Sequence, residues 1–144
     1  MADPYTLERF VEAQDAGGTY AAALAEVRAG RKTSHWMWFV FPQVAGLGRS
    51  AMAMHYAIAS LDEAEAYMNH PVLGPRLVEI AGAVGTDAEA TFGSVDALKL
   101  RSSMTLFARA APAEPAFRAV LDRCFDGVAD AATDRRLGEL PATG

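Results

Sequence analysis

The sequence is poor in several residue types, and each shortage excludes a class of protein. Its 144 residues contain one cysteine, Cys124, which excludes an internal disulfide framework and any metal site built from several thiolates. Isoleucine occurs only twice, and because β-branched residues favour strands, an extensive sheet is not expected. No run of 18 apolar residues is present, so we expect no transmembrane helix.

Basic residues are too few and too scattered to attract a polyanion. Thirteen Lys and Arg residues stand against 18 Asp and Glu residues, which gives a formal charge of -5 and a pI near 5.1. Without a Lys/Arg block, neither a long nucleic acid nor an anionic membrane is expected as a partner. The first residues lack the basic and apolar regions of a signal peptide, so the sequence predicts a soluble, cytoplasmic protein.

Alanine and leucine dominate what is present, with 30 and 12 residues respectively. Both favour helices, and the length is that of one ordinary domain. We therefore predict an all-α fold: a single compact domain of seven to eight short-to-medium helices in an irregular, orthogonal bundle. Its core should cover about residues 4–140, and residues 141–144 should form a loose tail.

Apolar residues recur at helical spacing along most of the chain, and glycines, prolines and capping residues divide the pattern. Thr86 and Glu89 have the spacing of a capping box around a short helix, and Ser94 is expected to cap the next long helix, which ends before Pro112. The other predicted helices include residues 6–15, 19–29, 50–59, 60–69, 117–125 and 133–140.

The segment 35–42, HWMWFVFP, is too apolar to show any period. Periodicity therefore does not separate a strand from a buried helix here. A lone strand would have no pairing partner in an otherwise helical chain, so a short buried helix or an irregular core segment is expected.

The same region is the densest group of candidate site residues. Trp36 and Trp38 follow Arg31 and Lys32, and aromatic rings beside basic groups can stack a base or sugar and hold a phosphate. The competing interpretation is that the aromatic residues of this run are core. His35 is as plausible as a structural hydrogen-bonding group as it is as a catalytic one.

Two further groups could contribute to a site. Gly46, Gly48 and Arg49 precede a helix and could cradle an anion, although the spacing is not that of a P-loop and a plain turn is the favoured reading. Asp96, Lys99, Ser102 and Ser103 share one sector of a helix. Lys99 there could anchor a phosphate, and the alternative is a surface ion pair with Asp96.

No metal site or cofactor is predicted. His35, His55 and His70 are 20 and 15 residues apart, without the close pairs that metal ligands require. Cys124 lies on the apolar face of its helix and is expected to be inert core. Asp130 is expected to be a helix cap or a solvated charge.

The run GRKTSHWMWFVFPQ at 30–43, followed by GLGRS at 46–50, closely resembles the signature of the domain of unknown function 1810 family of bacteria and fungi. Residues 70–77 resemble its second block, residues 96–107 its third, and Asp130 with Thr133 and Leu137 its last. The resemblance implies an all-helical single domain, and it associates the chain with NAD and ADP-ribose metabolism. Some members carry a calpastatin label, but that inhibitor class is disordered, whereas this chain is patterned to pack a core.

Two hypotheses for function follow. In the first, the chain binds, and in one version hydrolyses, a small phosphate-containing ligand such as a nucleotide or ADP-ribose. Its contacts would come from eight residues: Arg31, Lys32, Trp36, Trp38, Arg49, Lys99, Ser102 and Ser103. His35, Asp96 and Lys99 are the candidates for catalysis, without an identified general acid or base. In the second, the chain is a non-catalytic interaction or scaffold protein.

Overall fold

The computed structural model of the protein describes residues 3–140. Over that range the chain forms nine α-helices and one 3-10 turn (Ala16–Gly18). The helices are α1 (Glu8–Asp15), α2 (Thr19–Arg28), α3 (Met37–Val40), α4 (Ala51–His55), α5 (Leu61–Asn69), α6 (Leu73–Ala83), α7 (Ala88–Ala110), α8 (Pro115–Phe125) and α9 (Ala131–Glu139). The all-α prediction is confirmed. The number exceeds seven to eight because α3 and α4 span only four and five residues. The predicted tail at 141–144 lies outside the described residues.

The long helix α7 lies at the centre of the fold. It packs against α5, α8 and α9, and α6 packs in turn against α2, α5 and α8. Aromatic side chains fill the core around it and are fully buried: Phe10, Trp36, Phe41, Tyr67, Phe107 and Phe117. Within residues 3–140, no helix combines the length and the apolar character needed to cross a bilayer.

The apolar segment 35–42 contains one helical turn, α3, in which Met37, Phe39 and Val40 are buried. Of the two predicted alternatives, the short buried helix is correct. Residues two positions apart on a helical turn point to nearly opposite sides. Trp36, at the start of this turn, is fully buried, whereas Trp38 is partly exposed.

The prediction of a helix over residues 50–59 is wrong in its second half. Ser50 caps α4 by accepting a hydrogen bond from the Ala53 amide, but the helix ends at His55. Ile58 instead forms an isolated parallel bridge with Val44. The Ile58 amide donates to the Gln43 carbonyl at 2.9 Å, and this pairing requires extended backbone rather than helix.

Two other helix boundaries differ from prediction because of capping. Asp87, rather than Thr86, caps α7. The backbone of Gly93 (φ 82°, ψ 163°) is not helical and divides α7 into two helical segments, so the predicted break before Ser94 is present. Helix α9 begins at Ala131 rather than Thr133, because the Asp130 side chain accepts the Thr133 amide hydrogen. Asp130 is therefore the cap that the sequence suggested.

Candidate ligand-binding site

One cavity brings together polar and aromatic side chains from distant parts of the chain. It has a volume of about 420 Å³ and lies between α3, the loop 43–50, α7 and the start of α9. Its lining includes Trp38, Gln43, Arg49, Lys99, Ser102 and Asp130. The fold thus places on one surface four of the residues that the sequence suggested for ligand binding.

Lys99 lies over the ring of Trp38 on one wall of this cavity. Its Nζ is 5.4 Å from the ring centroid, within the range of a cation–π interaction. The same Nζ lies 3.4 Å from Asp96 Oδ1, one turn earlier on α7. The Lys99 side chain keeps 29% of its exposure, and an ammonium group has three donors. Lys99 can therefore still bind an anion in the cavity.

The other lysine of the chain, Lys32, makes similar contacts in a buried setting. Its Nζ lies 3.0 Å from Asp96 Oδ2 and 5.0 Å from the ring centroid of Trp36, and it donates to the Ser34 carbonyl at 2.6 Å. The Lys32 side chain is 9% exposed and Trp36 is fully buried. Neither residue lines the cavity. Both residues attach the loop before α3 to the rest of the fold. Neither is positioned to contact a ligand in this cavity.

Glu26 on α2 fixes that loop from the other side, a role that the sequence did not reveal. Its carboxylate accepts hydrogen bonds from the Thr33 amide at 2.8 Å, from the Ser34 amide and hydroxyl, and from Trp36 Nε1 at 3.0 Å. Burial disfavours the charged form of this carboxylate, but the hydrogen bonds outweigh burial and lower the pKa of Glu26 to about 2. Glu26 is therefore ionised at neutral pH and anchors the start of α3.

Asp130 is a candidate site residue that the sequence indicated only as a helix cap or a solvated charge. Its Oδ2 accepts hydrogen bonds from the Thr133 amide at 3.0 Å, from the Thr133 hydroxyl at 2.5 Å and from Ser102 Oγ at 3.0 Å. Its own amide donates to Thr105 Oγ1 at 2.8 Å. Asp130 and Thr133 both lie in the segment that resembles the last block of the family signature, and that resemblance is the signal that could have marked them.

The glycines of the loop 43–50 have packing reasons for being there. A side chain at Gly46 (φ 99°) would place its Cβ 2.6 Å from Arg136 Nε, and one at Gly48 would lie 2.6 Å from the Ala53 Cβ. The Arg136 side chain also donates to the Ala45 carbonyl at 2.8 Å. The turn interpretation of these glycines agrees with this geometry, and only Arg49 of the loop adds charge to the cavity.

The remaining candidates lie apart from the cavity lining. Arg31 and His35 are exposed on the loop before α3. Ser103 is fully buried in α7, and its hydroxyl has no hydrogen-bond partner within the described part of the chain. Asp96 is held between the two lysines, so its carboxylate positions Lys99 rather than lining the cavity itself.

Cys124 is half-buried rather than part of the core. Its thiol donates to the Gly85 carbonyl at 3.0 Å. Burial raises the pKa of this thiol, so it is protonated at neutral pH and a poor nucleophile. The prediction that it is unreactive agrees with this environment, although its predicted core position is wrong.

The cavity is locally cationic in an acidic chain. Its charged lining residues are Arg49, Lys99 and Asp130, two positive groups to one negative, whereas the chain as a whole carries -5. Among residues 3–140, no carboxylate forms an ion pair with Arg49. The same residues contain no cluster of three His, Cys, Asp or Glu side chains that could hold a metal ion. The arrangement suits an anionic ligand with a flat, stackable part.

A comparison with known families identifies the family of this chain. The family described as "Protein of unknown function (DUF1810)" matches residues 4–137. The chain belongs to this family. A comparison with curated proteins finds no significant match.

A solved structure of similar sequence shows the same fold. It is the crystal structure of a conserved hypothetical protein from Mycobacterium tuberculosis, Rv1873, which is 51% identical to this chain. The match covers 94% of this chain and 99% of the mycobacterial one, with a TM-score of 0.90. This DUF1810 chain and the mycobacterial protein therefore share one fold over nearly their whole lengths.

Proposed function

We propose that the cavity binds a small phosphate-containing ligand of the nucleotide or ADP-ribose type. The observation that carries the proposal is the convergence of Trp38, Arg49 and Lys99 on one cavity of about 420 Å³. That volume lies within the range of small-molecule sites. The association with NAD and ADP-ribose metabolism that the sequence resemblance implies favours the same ligand class.

Each of the three side chains has a separate task. The partly exposed Trp38 side chain, which lines the cavity, contacts the base, and such a contact is sequence-tolerant because every base has a π-face. Arg49, which no carboxylate of residues 3–140 neutralises, meets a phosphate through its planar donor fork. Lys99 adds a second positive charge, and its ion pair with Asp96 keeps the ammonium beside the ring.

A protein-interaction role is the second candidate, and a different observation favours it. Val95 and Leu98 on α7 line the rim of the cavity and are 66% and 62% exposed. Exposed apolar side chains beside a concave surface are typical of a site that a protein partner covers. In this alternative, Trp38 would contact the partner rather than a base.

Calorimetric titration with ADP and with ADP-ribose tests the first candidate. Binding to the wild-type chain is expected, and Arg49→Ala should weaken it about tenfold, because a charge-assisted hydrogen bond to phosphate is lost. Arg31→Ala is the matched control, since Arg31 is exposed but does not line the cavity; it should leave affinity within about twofold.

Two results would reject the ligand proposal. One is the absence of binding at millimolar concentrations of either compound. The other is an equal effect of the two arginine substitutions, which would indicate nonspecific attraction of anions. Chromatography of the same mixtures after incubation tests for hydrolysis of the N-glycosidic bond by water, with release of free adenine as the positive result.

A further inference from the structure

Asp130 presents an apparent conflict in a cavity that binds an anion. It places a negative charge beside Arg49 and Lys99, and this charge lowers the affinity of the cavity for a bare phosphate. Capping α9 does not by itself require an acid, because Ser, Thr and Asn cap helices about equally well. The carboxylate at this position therefore calls for an explanation beyond the helix cap.

The hydrogen bonds of Asp130 are divided unequally between its two oxygens. The Thr133 amide, the Thr133 hydroxyl and the Ser102 hydroxyl all lie within hydrogen-bond distance of Oδ2. Within residues 3–140, no donor lies within that distance of Oδ1. The hydrogen bond from the Asp130 backbone amide to Thr105 Oγ1 fixes the backbone of the residue. Asp130 is thus an oriented carboxylate with one oxygen still able to accept.

We infer that Asp130 Oδ1 accepts hydrogen bonds from the sugar hydroxyls of the ligand. This inference rests on the proposed function, and it narrows the ligand to phosphates whose sugar carries free neighbouring hydroxyls. A carboxylate binds such hydroxyls with charge-assisted hydrogen bonds and repels a phosphate attached at the same position. The cavity then recognises three parts of one molecule. The base contacts Trp38, the phosphate contacts Arg49 and Lys99, and the ribose contacts Asp130.

A matched pair of ligands isolates the hydroxyl contact. ADP and 2′,3′-dideoxy-ADP differ only in the two ribose hydroxyls, so their affinities for the wild-type chain are compared by calorimetry. ADP is expected to bind at least about tenfold more tightly, since a hydrogen bond to a charged acceptor is lost with the dideoxy compound.

Two substitutions of Asp130 keep the helix cap but remove the negative charge from the cavity. Asp130→Asn and Asp130→Ser both retain a capping oxygen for the Thr133 amide. Both should weaken ADP binding and should leave dideoxy-ADP binding unchanged or tighter, because a negative charge near the phosphate site is removed. The preference for ADP should fall below about threefold in both variants.

The outcomes separate this inference from the proposed function. If both ligands bind the wild-type chain equally, the cavity binds phosphates but Asp130 does not read the sugar. If both Asp130 variants bind both ligands more tightly, the carboxylate only repels anions and the inference is wrong. If neither ligand binds the wild-type chain, the proposed function fails and the inference fails with it.

Discussion

Trp36 and Trp38 are two residues apart, and each has one of the two lysines of the chain near its ring, at 5.0 Å and 5.4 Å. Both lysines pair with the same carboxylate, Asp96. We call Trp36 with Lys32 the inner pair and Trp38 with Lys99 the outer pair. The two pairs have identical residue types. The inner pair is buried and its polar groups are hydrogen-bonded or ion-paired within the protein, whereas the outer pair lines a cavity.

The difference shows that environment, rather than residue type, separates a structural aromatic–cation pair from one available to a ligand. The inner indole donates to Glu26 and the inner ammonium to Ser34, so their hydrogen bonds are made within the protein. Lys99 of the outer pair has Asp96 as its single ion-pair partner among residues 3–140. Substitutions in the inner pair should therefore affect stability, and those in the outer pair should affect binding.

Truncating the two tryptophans should produce the largest difference. Trp36→Ala is expected to lower the free energy of unfolding by about 3–5 kcal/mol, because it removes a fully buried aromatic side chain and leaves a cavity. Trp38→Ala should cost about 1–2 kcal/mol, because this side chain is only partly buried. Urea denaturation of both variants measures these values, and similar losses for the two would contradict the distinction between the pairs.

Removing the charge of Glu26 should have the next largest effect. Glu26→Gln is expected to cost about 2 kcal/mol at pH 7, because an amide cannot accept from all of the donors that surround the carboxylate. The carboxylate has a folded pKa of about 2, below the usual 4.5, so its contribution is complete above pH 4.5 and is lost as pH falls towards 2.

The pH dependence gives this prediction its control. The stability difference between wild type and Glu26→Gln should shrink when the urea midpoints are measured from pH 5 down to pH 2.5. Glu65→Gln, on the exposed side of α5, should change little at pH 7. A difference that stays constant with pH would show that the Glu26 charge does not support the inner pair.

The two lysines should give the smallest difference. Lys32→Met is expected to cost about 1–2 kcal/mol, because it leaves the Ser34 carbonyl and one Asp96 oxygen without a buried donor. Lys99→Met removes a more exposed ion pair and should cost less than about 0.5 kcal/mol, but it should weaken ADP binding. If Lys99→Met proves the more destabilising of the two, the outer pair is also structural.

Several elements of the fold followed from local rules. The Ser60 hydroxyl accepts the Glu63 amide hydrogen at the start of α5, which agrees with the helix predicted over residues 60–69. Gly17 and Gly18, both with positive φ, separate α1 from α2 where the pattern was predicted to break. The end of α4 was not predictable in this way, because Ile58 leaves the helix to pair with Val44, a partner that lies outside any local window.

The candidate site was predicted less completely than the fold. Trp38 was named as an aromatic ring beside basic residues, and Arg49 as part of a glycine-containing helix entry. Lys99 and Ser102 were named because they share one sector of a helix, and all four residues line one cavity. Trp36 and Lys32 were named on the same grounds as Trp38 but do not line the cavity. Asp130 was expected only as a helix cap or a solvated charge, because its position beside Ser102 depends on packing between α7 and α9.

By itself, the sequence determined the helical class, most helix starts and the family, because composition, capping residues and signature motifs act locally or can be read directly. The tertiary structure decided which tryptophan is buried and which carboxylate joins the cavity. The segment 35–42 is so uniformly apolar that its sequence shows no periodicity, so the sequence does not indicate which of its side chains face the core. The orientation of Trp36 and Trp38 therefore came only from packing against Glu26 on one side and α7 on the other.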